Sequence, residues 1–290
     1  MSRVRRTAIQ AFSSASFLAA LLCLPSCAGR KPEGPLAYVS NERDGTISVI
    51  DTGRDEVVST IRVGARPRGI RIGPDGRRVY VAVSTPSGKD YDHSENRIVA
   101  VDTETGEIVA RYDVGTDPEQ LAVHTDGTRL YASNEDAGTA SVTDIKSGKQ
   151  LASLVVGVEP EGVTSSPDGR WVYVTAETSN TVSVIDTKVD KVVASFLVDS
   201  RPRDVAFSPD GTRAYVTAEI GRTVAVVDTA GHKVIHTIIV PRGDNVKPMG
   251  VVVSNDGRRI YVATGRGNTV VVFDAETYEP LAIVPVGQRA

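Results

Sequence analysis

The residues of this 290-residue chain whose type and spacing suit recognition chemistry are charged ones that recur at fixed places. Arg66 and Arg68, Asp117 and Glu119, Glu159 and Glu161, and Arg201 and Arg203 each flank a proline; Lys247 and Met249 do the same, and Arg289 stands at the corresponding late position. A second set, Glu42, Glu135, Glu177 and Glu219, follows a tyrosine by four residues, with Ser84 and Gly265 as the exceptions. Such rings of opposite charge either pair between neighbouring elements, solvated and individually worth little, or form a polar pocket. A pocket of this kind recognises a small anionic or zwitterionic ligand, or docks a partner's charged loop. The candidate binding residues are therefore Arg68, Glu119, Glu161, Arg203, Glu42, Glu135, Glu177 and Glu219.

Candidates for harder chemistry are sparse. The stretch from Ser87 to Asn96 is the one that sets a histidine among carboxylates, and Asp92, His93 and Glu95, with Asp90, are its possible cation ligands. Their oxygens suit Ca²⁺ or Mg²⁺ and the imidazole suits Zn²⁺; the alternative is a solvated loop. No Ser-His-Asp order, glycine-rich phosphate loop or zinc signature appears, so no catalytic residue is assigned. His124 falls in a hairpin turn and His232 and His236 flank a strand, which are structural positions.

The elements that must position these residues are short β-strands. Trp171–Ala214 contains four segments of β-branched and apolar residues, each closed by Asn, Asp, Gly or Pro, as strands bounded by turns are. The unit recurs with its first tyrosine at Tyr38, Tyr80, Tyr131, Tyr173, Tyr215 and Tyr261, at spacings of 42, 51, 42, 42 and 46 residues. Four strands in a period of this length predict an all-β fold, a β-propeller of four-stranded blades. Within each blade strand A lines the channel and strand D lies outermost. A tight turn of the type Ser208-Pro209-Asp210-Gly211 joins A to B, its glycine supplying a positive φ.

The chain supplies strands B, C and D from Ala37 to Val63 and then five complete blades, the last ending near Val286, so about six blades are present. The register leads to the expectation that a C-terminal blade is missing. The two lengthened repeats carry 51 − 42 = 9 extra residues in Ser84–Asn96, between B and C, and 46 − 42 = 4 in Pro241–Lys247, between D and A. Both loops belong to one face of a propeller, and loops on a rigid scaffold are where binding is built.

Residues 1–27 stand apart: Arg3, Arg5 and Arg6, then an apolar run from Phe17 to Leu24, then Leu24-Pro25-Ser26-Cys27. The run is shorter than the roughly 20 apolar residues of a membrane span, which predicts a signal peptide. Its lipobox-like ending predicts lipidation at Cys27, or ordinary cleavage nearby, with 28–35 as a tether and 36–290 as the propeller domain. The expected product is an exported, periplasmic, membrane-anchored lipoprotein and a monomer. Cys23 and Cys27 are the only cysteines, which excludes an internal disulfide and a CxxCH haem site. Loss of the three arginines takes the net charge from −3 to 30 − 36 = −6, which argues against nucleic acid as a partner.

Tyr173-Val-Thr-Ala, Thr181-Val-Ser-Val-Ile-Asp-Thr and the following Val-Gly-x-x-Pro-x-Gly pattern resemble the YVTN-type bacterial propeller repeat from Leu36 onward. Tyr38-Val-Ser-Asn-Glu-Arg-Asp, Pro67-Arg-Gly-Ile, Ser133-Asn-Glu-Asp, Val156-Gly-Val-Glu-Pro-Glu-Gly and Ala218-Glu-Ile-Gly-Arg-Thr-Val are closest to the propellers named for association with PQQ-dependent catabolism. That resemblance implies a seven-bladed, exported protein encoded beside quinoprotein alcohol dehydrogenases and their cytochromes. It implies an accessory, non-catalytic role with a periplasmic dehydrogenase or cytochrome as partner, no cofactor of its own, and PQQ reached only through that partner. Quinoproteins stack the cofactor between aromatics in tryptophan-rich blades, whereas this chain has one Trp, Trp171. The alternative is a metal-dependent, lactonase-like hydrolase at the channel mouth, for which Glu119 and Glu161 are the adjacent inward-pointing acids.

Overall fold

A computed structural model describes residues 33–85, 93–241 and 245–288. They form six antiparallel sheets in chain order, and each sheet keeps the strand order of the sequence. Blade 1 has three strands, β1 (Leu36–Asn41), β2 (Thr46–Asp51) and β3 (Glu56–Arg62). Blade 2 has β4 (Pro67–Ile72), β5 (Arg78–Val83), β6 (Arg97–Asp102) and β7 (Ile108–Asp113). Blade 3 comprises β8 (Pro118–Val123), β9 (Arg129–Asn134), β10 (Thr139–Asp144) and β11 (Gln150–Val155). In blade 4 these become β12 (Pro160–Ser165), β13 (Trp171–Ala176), β14 (Thr181–Asp186) and β15 (Lys191–Leu197). Blade 5 runs through β16 (Pro202–Phe207), β17 (Arg213–Ala218), β18 (Thr223–Asp228) and β19 (Lys233–Ile239). Blade 6 holds β20 (Val251–Val253), β21 (Arg259–Ala263), β22 (Thr269–Asp274) and β23 (Pro280–Pro285).

The middle strands are continuous apolar runs because both of their faces are covered by neighbouring blades. Strand β14 is buried from Val182 through Ile185, while β15 on the rim alternates exposed and half-buried residues. Five apolar layers fill the spaces between the six sheets. The layer between blades 3 and 4 packs Tyr131, Val142, Val163 and Ile185, and the next packs Tyr173, Val184, Phe207 and Val227. Tyr173 sits edge-on to Phe196 at 5.9 Å and against Phe207 at 4.8 Å.

The two end faces lack such cover. Val39 on blade 1 is 45% exposed where its equivalents Val81 and Val174 are 0% exposed; Val284 on blade 6 is 46% exposed where Ile238 is 4%. Among the described residues these faces leave the arc of blades without an apolar layer between its ends.

The hairpin turns follow the sequence reading. Gly76, Gly127, Gly169, Gly211 and Gly257 all have φ near +70°, a conformation open to glycine at little cost. In blades 2 to 5 the A strands begin earlier than the apolar pattern alone indicates, at the proline itself: β16 starts at Pro202 rather than Asp204. Pro202 occupies the first rung, where its missing N–H costs no ladder bond.

Candidate functional site

A β-bulge at the start of the A strand in blades 2 to 5 aims the charged residues. Pro160 pairs with Ala176 but the next rung joins Val163 to Val174, so Glu161 and Gly162 oppose a single residue. The same irregularity frees Arg68 with Gly69, Glu119 with Gln120, and Arg203 with Asp204. A bulge bends the strand and re-aims the extra side chain. Here it turns Arg68, Glu119, Glu161 and Arg203 out of the ladder at the channel mouth.

The residue before each proline is left-handed without being glycine: Arg66 (φ 32°), Asp117 (51°), Glu159 (54°) and Arg201 (62°). Such a conformation costs about 1–3 kcal/mol per residue, and it is held by one recurring bond. The carbonyls of Arg66, Asp117, Glu159 and Arg201 accept the backbone N–H of Ser84 (3.2 Å), Glu135 (2.9 Å), Glu177 (2.8 Å) and Glu219 (2.8 Å). The two charged sets, 18 residues apart in sequence, are thereby joined side by side within each blade.

Hydroxyls join one blade to the next. The Ser40, Ser133, Thr175 and Thr217 side chains donate to the carbonyls of Arg68 (2.8 Å), Glu161 (2.5 Å), Arg203 (3.1 Å) and Met249 (2.6 Å) in the following blade. Ser133, Thr175 and Thr217 also accept the N–H of Gln120, Gly162 and Asp204 in their own bulges. Blade 2 carries Ala82 at this position and so has no such hydroxyl.

All eight predicted binding residues converge on this mouth, in two networks of different balance. Around Arg203, Arg201, Arg203 and Lys247 face Glu161, Glu177 and Glu219: Arg203–Glu161 is 3.1 Å, Arg201–Glu177 2.6 Å, Arg201–Glu219 3.3 Å and Lys247–Glu219 3.2 Å, and Arg203 also contacts Glu177. Around Arg68, Arg66 and Arg68 face Glu42, Asp117, Glu119 and Glu135. Arg68 Nε donates to Glu119 at 2.7 Å and Arg68 Nη1 to Glu42 at 3.0 Å, while Arg66 reaches Glu42 at 3.2 Å and Asp117 at 3.7 Å. Every arginine of these networks bridges adjacent blades, as the pairing alternative of the sequence reading expects.

Burial and crowding show in the ionisation of the acids on both sides. Glu119 is pushed up to about 7, first by burial and then by the charge of Glu161, against the pull of Arg68. Glu135 is raised to about 7 by burial and by Glu119 and Asp117. Glu161 reaches about 7 chiefly through burial, opposed by Arg203. Glu42, beside Arg66 and Arg68, is held below the usual carboxylate range although burial pushes the other way. Asp204, in the bulge of blade 5, is raised by desolvation despite accepting the N–H of Val251 at 3.1 Å.

A cavity of about 290 Å³ opens between blades 5 and 6, lined by Arg201, Arg203, Glu219, Lys247, Met249, Gly265 and Arg266. Gly265 stands where four other blades carry glutamate. Its φ is +50°, and a Cβ there would meet Met249 Cγ at 2.9 Å, so glycine keeps this side of the mouth open. Arg266 is exposed and makes no ion pair or hydrogen bond among the described residues, unlike the arginines that bridge blades. The sequence reading missed Arg266 because it occupies no repeated charge position; the glycine replacing glutamate beside it is the signal that could have found it.

Of the proposed cation ligands in the first insertion, Asp92 lies outside the described residues, as does Cys27. His93 and Glu95 bound a short 3-10 turn, and Glu95 is exposed, 3.7 Å from Arg97. The foot of that loop is fixed by Asn96, whose Oδ1 accepts the Thr85 N–H at 2.7 Å, and by Ser84, which donates to Asp117. Carboxylates do cluster elsewhere: oxygens of Asp117, Glu119 and Glu135 lie within 4.8 Å of one another. Asp117 was read only as part of the charged ring, since nothing in its spacing announces that the bulge brings it to Glu135.

Trp171 is engaged by its own surroundings, edge-on to His232 at 4.7 Å and beneath the Arg170 guanidinium at 4.6 Å. His232 Nδ1 lies 2.7 Å from the Tyr173 hydroxyl, and His124 Nε2 lies 2.8 Å from the Gly169 carbonyl oxygen. These histidines brace neighbouring blades.

Comparison with known proteins agrees with this architecture. The chain superposes on a structure of Kuenenia stuttgartiensis hydrazine synthase with a TM-score of 0.78 at 21% identity, over 89% of this chain and 85% of that one. It is also similar to a functionally unknown protein from Desulfotomaculum acetoxidans DSM 771, with a TM-score of 0.71, 15% identity and coverage of 87% and 84%. At these identities the likeness is one of fold. No curated protein matches the sequence. A YNCE-like β-propeller family matches residues 164–259, and the choice-of-anchor I domain family matches residues 35–200. With more than half of its length matched, the chain belongs to the choice-of-anchor I domain family, and it is a β-propeller.

Proposed function

We propose that this chain is an exported, non-catalytic binding propeller. Its loop-enlarged face holds a small anionic ligand or the charged loop of a protein partner. The observation that carries this reading is the cavity between blades 5 and 6, where Arg266 has no ion-pair partner among the described residues and stands beside Lys247 and the apolar Met249. A small carboxylate fits this setting: its charge meets Arg266 and its carbon body lies on Met249. Arg68 and Arg203 serve as the frame, since their guanidinium groups are committed to buried acids.

The repeat's likeness to propellers associated with PQQ-dependent catabolism supports an accessory place beside a periplasmic quinoprotein alcohol dehydrogenase or its cytochrome. PQQ then resides in that partner, and a lipid anchor at Cys27 holds the propeller at the membrane. Among the described residues no helix is long and apolar enough to cross a membrane. The uncovered faces of blades 1 and 6 support a seven-position ring, with one further sheet covering Val39 and Val284.

Calorimetric titration of the full chain with short-chain carboxylates tests the proposal. Saturable binding that Arg266→Glu removes is the expected result, with folding checked by circular dichroism. No binding of any small anion, together with no association with a dehydrogenase or cytochrome in pull-downs from the periplasm, overturns it. The carboxylate cluster favours one second reading, a metal-dependent lactonase-like hydrolase; lactone opening abolished by chelator would identify that activity.

A further inference from the structure

The bulge of blade 3 gathers Asp117, Glu119 and Glu135 on the blade 2 side of the mouth, away from the cavity at Arg266. Their carboxylate oxygens approach within 4.8 Å of one another, and Asp117 and Glu119 are each 2% exposed. One oxygen of Glu119 is committed to Arg68, while its Oε1 is buried and has no hydrogen-bond partner. A buried carboxylate oxygen without a donor forfeits solvation with nothing in return. Neighbours that are themselves carboxylates deepen the cost. Glu135 has no cation within ion-pair distance among the described residues, and the region carries two arginines against four acids.

We infer that Asp117, Glu119 and Glu135 form a divalent-cation site, selective for Ca²⁺, at the mouth between blades 2 and 3. Carboxylate oxygens within 4.8 Å of one another are close enough to share one ion at a Ca–O distance of about 2.4 Å. The donors are all hard oxygens, with no imidazole or thiolate among them, so Zn²⁺ and softer metals are disfavoured. Irregular geometry and the half-buried Glu135 leave room for water to complete six to eight ligands, as Ca²⁺ accepts and Mg²⁺, with its strict octahedron, does not. The ion supplies the charge that the two arginines leave unmet. It also ties the bulge to the end of the neighbouring B strand in the same blade, beside the seam where Ala82 provides no interblade hydroxyl. This inference goes beyond the anion-binding reading, because it uses different residues and needs no organic ligand.

The test is isothermal titration of the full chain with CaCl₂ at pH 8, after treatment with chelator, alongside thermal denaturation with and without Ca²⁺. The expected result is a single saturable site, a rise in melting temperature with Ca²⁺, and weaker binding of Mg²⁺. Glu135→Gln is expected to reduce Ca²⁺ affinity at least tenfold while circular dichroism shows the fold retained. Asp117→Asn gives a second, independent loss, and Glu219→Gln in the opposite network leaves Ca²⁺ affinity unchanged. Absence of Ca²⁺ binding, or binding that survives both Glu135→Gln and Asp117→Asn, overturns the inference. Loss of carboxylate binding in Arg266→Glu with Ca²⁺ binding intact separates this site from the anion cavity.

Discussion

Around Arg203 the channel mouth holds three cations against three carboxylates, whereas around Arg68 it holds two against four. Both regions come from the same repeat positions, aimed by the same bulge and locked by the same backbone bond, and yet one is neutral and the other strongly acidic. The cause is composition. Blades 2 and 5 place arginine on both sides of the proline, blade 3 places two acids there, and the fourth position after the tyrosine adds glutamate to four blades regardless of its neighbours. A repeat that copies geometry without copying charge turns one scaffold into an ion-paired frame on one side and an acidic cluster on the other.

The sharpest way to break this comparison is to remove the cation at the centre of the balanced side. Arg203→Ala leaves Glu161 buried without its cation and Glu177 with Arg201 alone, and loss of one member of such a buried pair costs about 3–5 kcal/mol. Chemical denaturation should show that loss; a change within error would mean the network is solvated and slack.

Next in size is the interblade hydroxyl. Thr175→Val keeps the volume but removes a donor to the Arg203 carbonyl and an acceptor for the Gly162 N–H. At about 1 kcal/mol per buried bond, with more for a group left unsatisfied, about 2 kcal/mol of stability should disappear. The corresponding Ala82→Ser in blade 2 should instead be neutral or gain up to about 1 kcal/mol if its hydroxyl finds the Glu119 carbonyl.

Acidity separates Glu135 from Glu177. Glu119 and Glu135 titrate near 7 in the folded protein, above their ordinary value of 4.5, so the folded state holds more protons than the unfolded state between those limits. The stability they contribute is full below about 4.5 and is lost as pH rises through about 7. Melting temperature without added cation should therefore fall across this window. Glu135→Gln should raise it at pH 8 and leave it little changed at pH 4, whereas Glu177→Gln, which removes a partner of Arg201 and Arg203, should lower it at pH 8. Equal effects of the two substitutions would erase the distinction between the regions.

Much of the architecture was legible in the chain itself. The tyrosine period, the strand count per repeat and the proline-aspartate-glycine turns dictated six consecutive sheets and the position of both insertions, because alternation of apolar residues and tight-turn chemistry are local properties. The resemblance of the repeat to known propellers added the channel and the order of strands from axis to rim. Convergence of the charged sets followed as well, since residues at equal places in a radial repeat must meet at one end of the channel.

Local pattern carries no signal for the bulge that follows the proline in blades 2 to 5, for the left-handed Arg66, Asp117, Glu159 and Arg201, or for the serine and threonine hydroxyls that bind one blade to the next. These depend on where a carbonyl of one blade falls relative to an N–H or O–H of another. The sequence by itself determined which charges reach the mouth. Only the tertiary structure decided which of them are partnered, leaving Arg266 without an ion pair among the described residues and Glu119 with an unmet oxygen, because ion pairing is settled over a few ångströms by side-chain direction and burial, and a period of 42 residues specifies neither.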